Sequence, residues 1–194
     1  LNILIDETLT HASVTIGNAP EVVEGPIAHG DLLITEIMYN PAALSDTEGE
    51  WFEIRNMTNA DIDLHQLVIR EGLDVLHIIG DQIVLGPGEY FVLGRTLTAT
   101  SSVSYVYGSD LTLTNTGQEI ILANYGDDGT NGSLICSINY GLTGFPDGNG
   151  ASISLDPTIT DVHTAAEGAG WCLSTSVFDT GDLGTPGAVN DACL

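Results

Sequence analysis

The chain has 194 residues, 43% apolar and only 15% charged, enough to bury a core without structural staples. Its charge is one-sided: 27 acidic residues stand against three arginines, Arg55, Arg70 and Arg95, and no lysine, for a net charge of −24 at pH 7. Such a field opposes approach to phosphate backbones and anionic lipid, and no apolar run reaches the roughly 18 residues of a membrane helix, so nucleic acid and membrane insertion are not expected. The charge suits salty surroundings or divalent counterions; a solubilising surface is the plainer reading.

In chain order, residues 1–30 offer two strand-like runs, "LNILID" and "ASVTIG", followed by "NAPEVVEGPIAHG", whose prolines and glycines suit a linker. They read as a flanking segment, or an extra edge hairpin. Leu1 opens without a basic n-region, so a mature or excised fragment is expected. From residue 31 onward, short β-branched and aromatic runs recur: "DLLITEIMY", "EWFEIRN", "HQLVIRE", "VLHIIG", "QIVL", "EYFVLG", "VSYVYG", "QEIILANY", "SLICSINY" and "ASISL". Between them, "GPGE" at 86–89, "DDGTNG" at 127–132 and "PDGNG" at 146–150 are turn chemistry, and residues 124–140 read as a hairpin.

Nothing holds a 3.6-residue apolar period for three turns; "DVHTAAEGAGW" at 161–171 comes nearest and its glycines cut it to one turn. Many short strands without βαβ alternation predict an all-β fold, an immunoglobulin-like antiparallel β-sandwich over residues 31–194, with a closed barrel as the second architecture.

Period-two alternation puts Phe52 and Ile54 on the core side of "EWFEIRN", with Trp51 at the margin of that core and Glu53 and Arg55 on the opposite face. In "LLITEIM" the same rule places Glu36 beside Leu32, Ile34 and Met38, where a carboxylate needs a partner; Arg55 or Arg70 is expected to supply it. Glu50 and Glu53 lie near in sequence, but nothing in their spacing selects a glycosidase pair, which requires two carboxyls about 5–9 Å apart in a cleft. Histidines 11, 29, 65, 77 and 163 are scattered, with no G-x-S-x-G setting for a nucleophile.

No metal ligand is assigned. Calcium is the better chemical alternative to catalysis, since "SDTEGE" (45–50), "NYGDDGTNG" (124–132) and "FDTGDLG" (178–184) are oxygen-rich, but none follows the EF-hand pattern. Asp127, Asp128 and Asn131 are the strongest local candidates, and a hairpin turn explains them without a metal. The three cysteines lack zinc spacing and imply one disulfide and one thiol. Cys172 with Cys193 is the expected pair, tying the tail to the body; Cys136 reads as an inert core residue.

Four ordered segments carry a resemblance: "LLITEIMYNP" (32–41), "GEWFEIRNMTNADIDLHQLVIRE" (49–71), "LGPGEYFVLGR" (85–95) with "LTNTGQEIILAN" (113–124), and "GTPGAVN" (184–190). Together they resemble the lamin tail domain, in particular its bacterial secreted and surface branch. Val68 stands where these domains often place tryptophan, and Cys136 where aspartate is frequent. The resemblance implies a sandwich with no catalytic machinery, serving protein interaction, attachment or architecture in an exported, extracellular or surface protein. The partner would be a protein or cell-surface component, and a companion domain would carry any chemistry. The alternative is a calcium- or glycan-binding accessory domain of an extracellular hydrolase, for which Trp51, Trp171, Tyr105 and Tyr107 would have to be exposed.

Overall fold

The computed structural model describes residues 25–126 and 132–194. The candidate strands "LNILID" and "ASVTIG" and the turn residues Asp127, Asp128 and Asn131 lie outside the described residues. Among the described residues the strands are β1 (Leu32–Met38), β2 (Trp51–Asn56), β3 (Ile62–Asp63), β4 (Val68–Glu71), β5 (Asp74–Ile78), β6 (Val84–Leu85), β7 (Tyr90–Gly94), β8 (Val103–Val106), β9 (Glu119–Ala123), β10 (Leu134–Asn139), β11 (Ile153–Leu155) and β12 (Trp171–Leu173). Two four-residue helices interrupt them, α1 (Asp46–Gly49) and α2 (Val162–Ala165). The second falls within 161–171 as the glycine pattern predicts, with Asp161 accepting the Thr164 N–H at 2.9 Å as its N-cap.

Six strands form one sheet in the order β12-β11-β1-β2-β7-β8, four form a second in the order β10-β9-β4-β5, and β3-β6 make a short ribbon. This is the immunoglobulin-like β-sandwich expected from the strand pattern. Two points differ. β7 and β8 pair in parallel, where the sequence suggests antiparallel pairing throughout. β3 and β12, of two and three residues, are too short to announce themselves by alternation. β9 and β10 pair antiparallel, but β9 ends at Ala123, so the first strand of the hairpin expected over 124–140 lies ahead of that range.

The main core lies between the sheets: Ile34, Ile37, Phe52, Ile54 and Leu93 from one, Ile69, Ile120, Leu122, Ile135 and Ile138 from the other. Each such side chain stabilises the fold by about 1.5–3 kcal/mol relative to exposure. A smaller cluster occupies the other face of the six-stranded sheet: Met38, Trp51, Val92 and Ala99, with Phe178 packed edge-on against Trp51 at a centroid distance of 5.9 Å. Trp51 is fully buried there, not marginal to the main core, because the chain from 174 to 191 crosses this face as a strap.

The strap is anchored at its root. The structure joins Cys172 to Cys193, with Cα atoms 5.6 Å apart. Asn190 Nδ2 donates to the carbonyls of Thr35 (2.7 Å) and Leu155 (2.9 Å), so the strap's last turn is hydrogen-bonded to β1 and β11.

Candidate functional site

The chemistry-bearing groups converge under the strap. A register shift in β1 between Ile34 and Glu36 pairs Ile34 with Ile54 but Glu36 with Glu53. The extra residue, Thr35, changes the phase of the strand: Ile34 stays in the main core while Glu36 turns to the outer face with Met38. Strict alternation, which set Glu36 beside Ile34, therefore fails at this bulge. Two carboxylates, both with zero exposed area, stand opposite one another on adjacent strands.

Neither arginine expected to neutralise Glu36 does so. Arg55 lies over the Tyr90 ring, 5.1 Å from its centroid, and Arg70 donates to the Gly72 carbonyl. Hydroxyls and backbone amides take their place. Glu36 Oε1 accepts from the Thr185 N–H (2.8 Å), Ser174 Oγ (3.0 Å), Ser154 Oγ (3.3 Å) and, at close range, Ser152 Oγ; its Oε2 accepts from Thr185 Oγ1 (2.9 Å). Glu53 accepts from Thr35 Oγ1 (2.7 Å) and the Gly187 N–H (2.7 Å). The "GTPG" of the closing segment thus delivers two amides to two buried acids. Gly184 passes so close that a Cβ there would lie 3.2 Å from Glu36 Oε1, Trp51 Cζ2 and Phe178 Cδ1.

Burial pushes both acids above the ordinary carboxylate range. For Glu53 burial acts first and the neighbouring Glu36 second, carrying it up to about 8 against the pull of Thr35, Gly187 and Arg55. Glu36 is raised by burial and opposed by its Ser152, Thr185 and Ser174 donors.

A third buried carboxylate is solved differently. Glu50 Oε2 accepts from Arg95 Nη1 (2.8 Å) and from the Leu113 N–H (3.1 Å), while the Arg95 N–H donates to the Glu50 carbonyl (2.9 Å). Burial still raises Glu50, with Leu113 and Arg95 opposing. This pair joins three of the recognisable stretches, the start of "GEWFEIRN", the Arg95 end of "LGPGEYFVLGR" and the start of "LTNTG".

The other candidate residues fall apart as a site. Trp51 and Tyr107 are buried, Trp171 is buried against Phe145, and Tyr105 is partly covered, accepting or donating to His77 Nε2 at 2.9 Å. No exposed coplanar aromatic pair comes from these four, so the glycan reading loses its basis. In the 45–50 loop, residues 46–49 are helical and Glu50 is committed to Arg95. In the 178–184 loop, Asp182 accepts the Ala42 and Ala43 N–H groups (3.0 and 3.1 Å) and Asp179 accepts that of Ser101 (2.6 Å). These oxygens fasten the strap to the body. His77 bridges Asp110 (2.8 Å) and Tyr105, tying β5 to β8 at the open edges of the two sheets. Cys136 is buried, and burial raises its thiol to about 11, an unreactive state.

General acid–base work requires a reachable carboxyl. Two grooves among the described residues, of about 260 and 340 Å³, are lined by Asp63, His65, Asn124 and Tyr125, and by Tyr39, Asn115, Tyr140 and Asp147; neither includes Glu36 or Glu53. The convergent acids face the underside of the strap.

The sequence profile of the Lamin Tail Domain matches residues 26–141, more than half of the chain. The chain belongs to the lamin tail domain family. Lamin tail domains are generally non-catalytic. No curated protein matches the chain by sequence. The matched residues carry β1 to β10, and with them Glu36, Glu50, Glu53 and Arg95. β11, β12 and the strap lie beyond the match, although β11 pairs with β1 inside it.

The serines were missed in the sequence. The signal was there: in "ASISL" Ser152 and Ser154 alternate on one face, and a strand offering two small hydroxyls on a buried face fits a polar acceptor opposite. Glu36 is that acceptor.

Proposed function

We propose that this lamin tail domain is an interaction or architectural module of an exported protein, without chemistry of its own. The observation that carries the reading is the use made of the carboxylates. Glu36, Glu53 and Glu50, the acids whose protonation burial perturbs upward, all serve to hold segments of the sandwich together. What remains for function is the outer surface of a rigid, strongly acidic body, which favours a protein or cell-surface partner over nucleic acid. Export is supported by the Cys172–Cys193 bond, since disulfides persist in oxidising compartments, and by a net charge tolerated in salty media.

A direct test incubates the chain, and its Glu36→Gln and Glu53→Gln variants, with a panel of polysaccharides, phosphodiesters and peptides. No turnover above buffer is expected from any of the three. Turnover by the parent chain that the variants lose would replace this reading with a hydrolase.

A further inference from the structure

Among the described residues, the two acids beneath the strap have no cationic hydrogen-bond partner. The groups that face them are few and come from every packed element. β1 gives Thr35; β2 gives Arg55; β7 gives Tyr90; β11 gives Ser154, with Ser152 just ahead of it; the strap gives Ser174, Thr185, the Gly187 amide and Asn190. Arg55 is the one positive charge in this set. It stacks on Tyr90 and donates to the Gly88 carbonyl at 3.4 Å, and no salt bridge joins it to either acid among the described residues.

Donor count separates the two acids. A carboxylate only accepts, with about four lone-pair directions to fill, whereas a protonated carboxyl also donates. Glu36 collects five donors on its two oxygens. Glu53 has two, one of them the Thr35 hydroxyl, which can rotate to accept a proton in return. Glu36 is built as the anion and Glu53 as the acid.

We propose that Glu36 and Glu53 hold one proton between them and form a pH-sensitive latch: with the proton in place the strap lies closed on the sheet, and losing it leaves two sealed, opposed anions that lift residues 184–190. Both ends of the strap stay tethered, by the disulfide and by Asp191 bonded to Thr175 and Ser176, so opening is a local swing. The swing uncovers Trp51, over whose ring edge Gly184 of the lifted segment passes closely.

The sign follows from linkage. Glu53 has an ordinary value of 4.5 that burial and the neighbouring Glu36 raise to about 8. Between those limits the closed state binds more protons than an opened or unfolded one, so closure is fully favoured below the lower limit and weakens as pH climbs through the upper. Each pH unit changes the equilibrium by up to about tenfold per proton taken up.

Hydrogen exchange of the whole chain at pH 6, 7, 8 and 9, corrected for the intrinsic pH dependence of amide exchange, reads the latch directly. The Thr185 and Gly187 amides should lose about tenfold protection between pH 7 and 9, while the β2–β7 ladder keeps its own. Glu53→Gln imitates the protonated acid, its amide donating to Thr35 and its oxygen accepting from Gly187, and should abolish the slope. The slope should survive 1 M NaCl, which screens surface charge but not a sealed pair. The proposal is overturned by strap protection independent of pH in the parent chain, by an equal slope in Glu53→Gln, or by loss of the slope in salt. Should Glu53→Gln fail to fold, the parent profile with and without salt decides alone.

Discussion

The middle of the strap is held by carboxylates stripped of water, its ends by carboxylates that keep it. In the middle, Glu36 and Glu53 receive the amides of Thr185 and Gly187. At the end, Asp191 receives those of Thr175 (2.7 Å) and Ser176 (2.8 Å), and Asp156 that of Cys193 (2.9 Å). The donors are alike, yet the acids respond in opposite directions. Backbone and hydroxyl donors pull Asp191 below its ordinary value, and the Thr158 donors do the same for Asp156, whereas burial pushes Glu36 and Glu53 up. Hydrogen bonds set the sign where water remains, and desolvation sets it where water is gone. One strap thereby carries two titrations of opposite effect.

The strongest way to break this contrast is to delete the acceptor at the centre. Glu36→Ala leaves the Thr185 amide and three buried serine hydroxyls without their acceptor and opens a void, and should cost roughly 3–5 kcal/mol in urea unfolding at pH 6. A loss near 1 kcal/mol would place the centre on the same footing as the ends. Cys193→Ala comes next: the bond closes a loop of 21 residues, and its removal should cost about 3 kcal/mol while leaving protection at Thr185 and Gly187 in place at pH 6. If that protection vanishes with the disulfide, the acids do not hold the strap by themselves. Gly184→Ala presses a methyl against Glu36, Trp51 and Phe178 and should cost about 1–2 kcal/mol, with a change in Trp51 fluorescence reporting the shifted strap.

The sandwich was legible because its strands are amphipathic: Phe52 and Ile54 against Glu53 and Arg55 follow period two, and the turn glycines punctuate the runs. The site was half legible. A glutamate inside "LLITEIM" demanded a partner, but alternation could not reveal the bulge at Thr35 that turns Glu36 outward, since a bulge leaves no pattern in one strand. Nor could sequence distance bring residue 185 to residue 36. With three arginines in the chain, an ion pair with Arg55 or Arg70 was the natural expectation for Glu36; Arg55 went instead to the Tyr90 ring and Arg70 to the Gly72 carbonyl, and the role at Glu36 fell to serines that a charge count does not see. β12 and the parallel pairing of β8 escaped for a related reason, since strand pairing depends on neighbours distant in sequence.

Asp191 gives the smallest and cleanest test of the contrast. Its carboxylate is partly exposed, so solvent screening limits the worth of its bonds to Thr175 and Ser176, and Asp191→Ala should cost about 1 kcal/mol at pH 6. Its folded value lies below the ordinary 3.8, so the stability it contributes is present above that value and is lost as pH falls through the folded one. Glu53, carried up to about 8, keeps its proton over that acid range, and Glu36, raised by burial, takes up a proton more readily folded than unfolded, so neither contributes a loss there. Acidification from pH 4 towards 2 should therefore free the Thr175 and Ser176 amides before those of Thr185 and Gly187, and alkalinisation from pH 7 to 9 should free them in the reverse order. Hydrogen exchange at the two limits reads both orders in one protein. Identical orders at the two limits would mean that burial does not divide the acids of this strap into two classes.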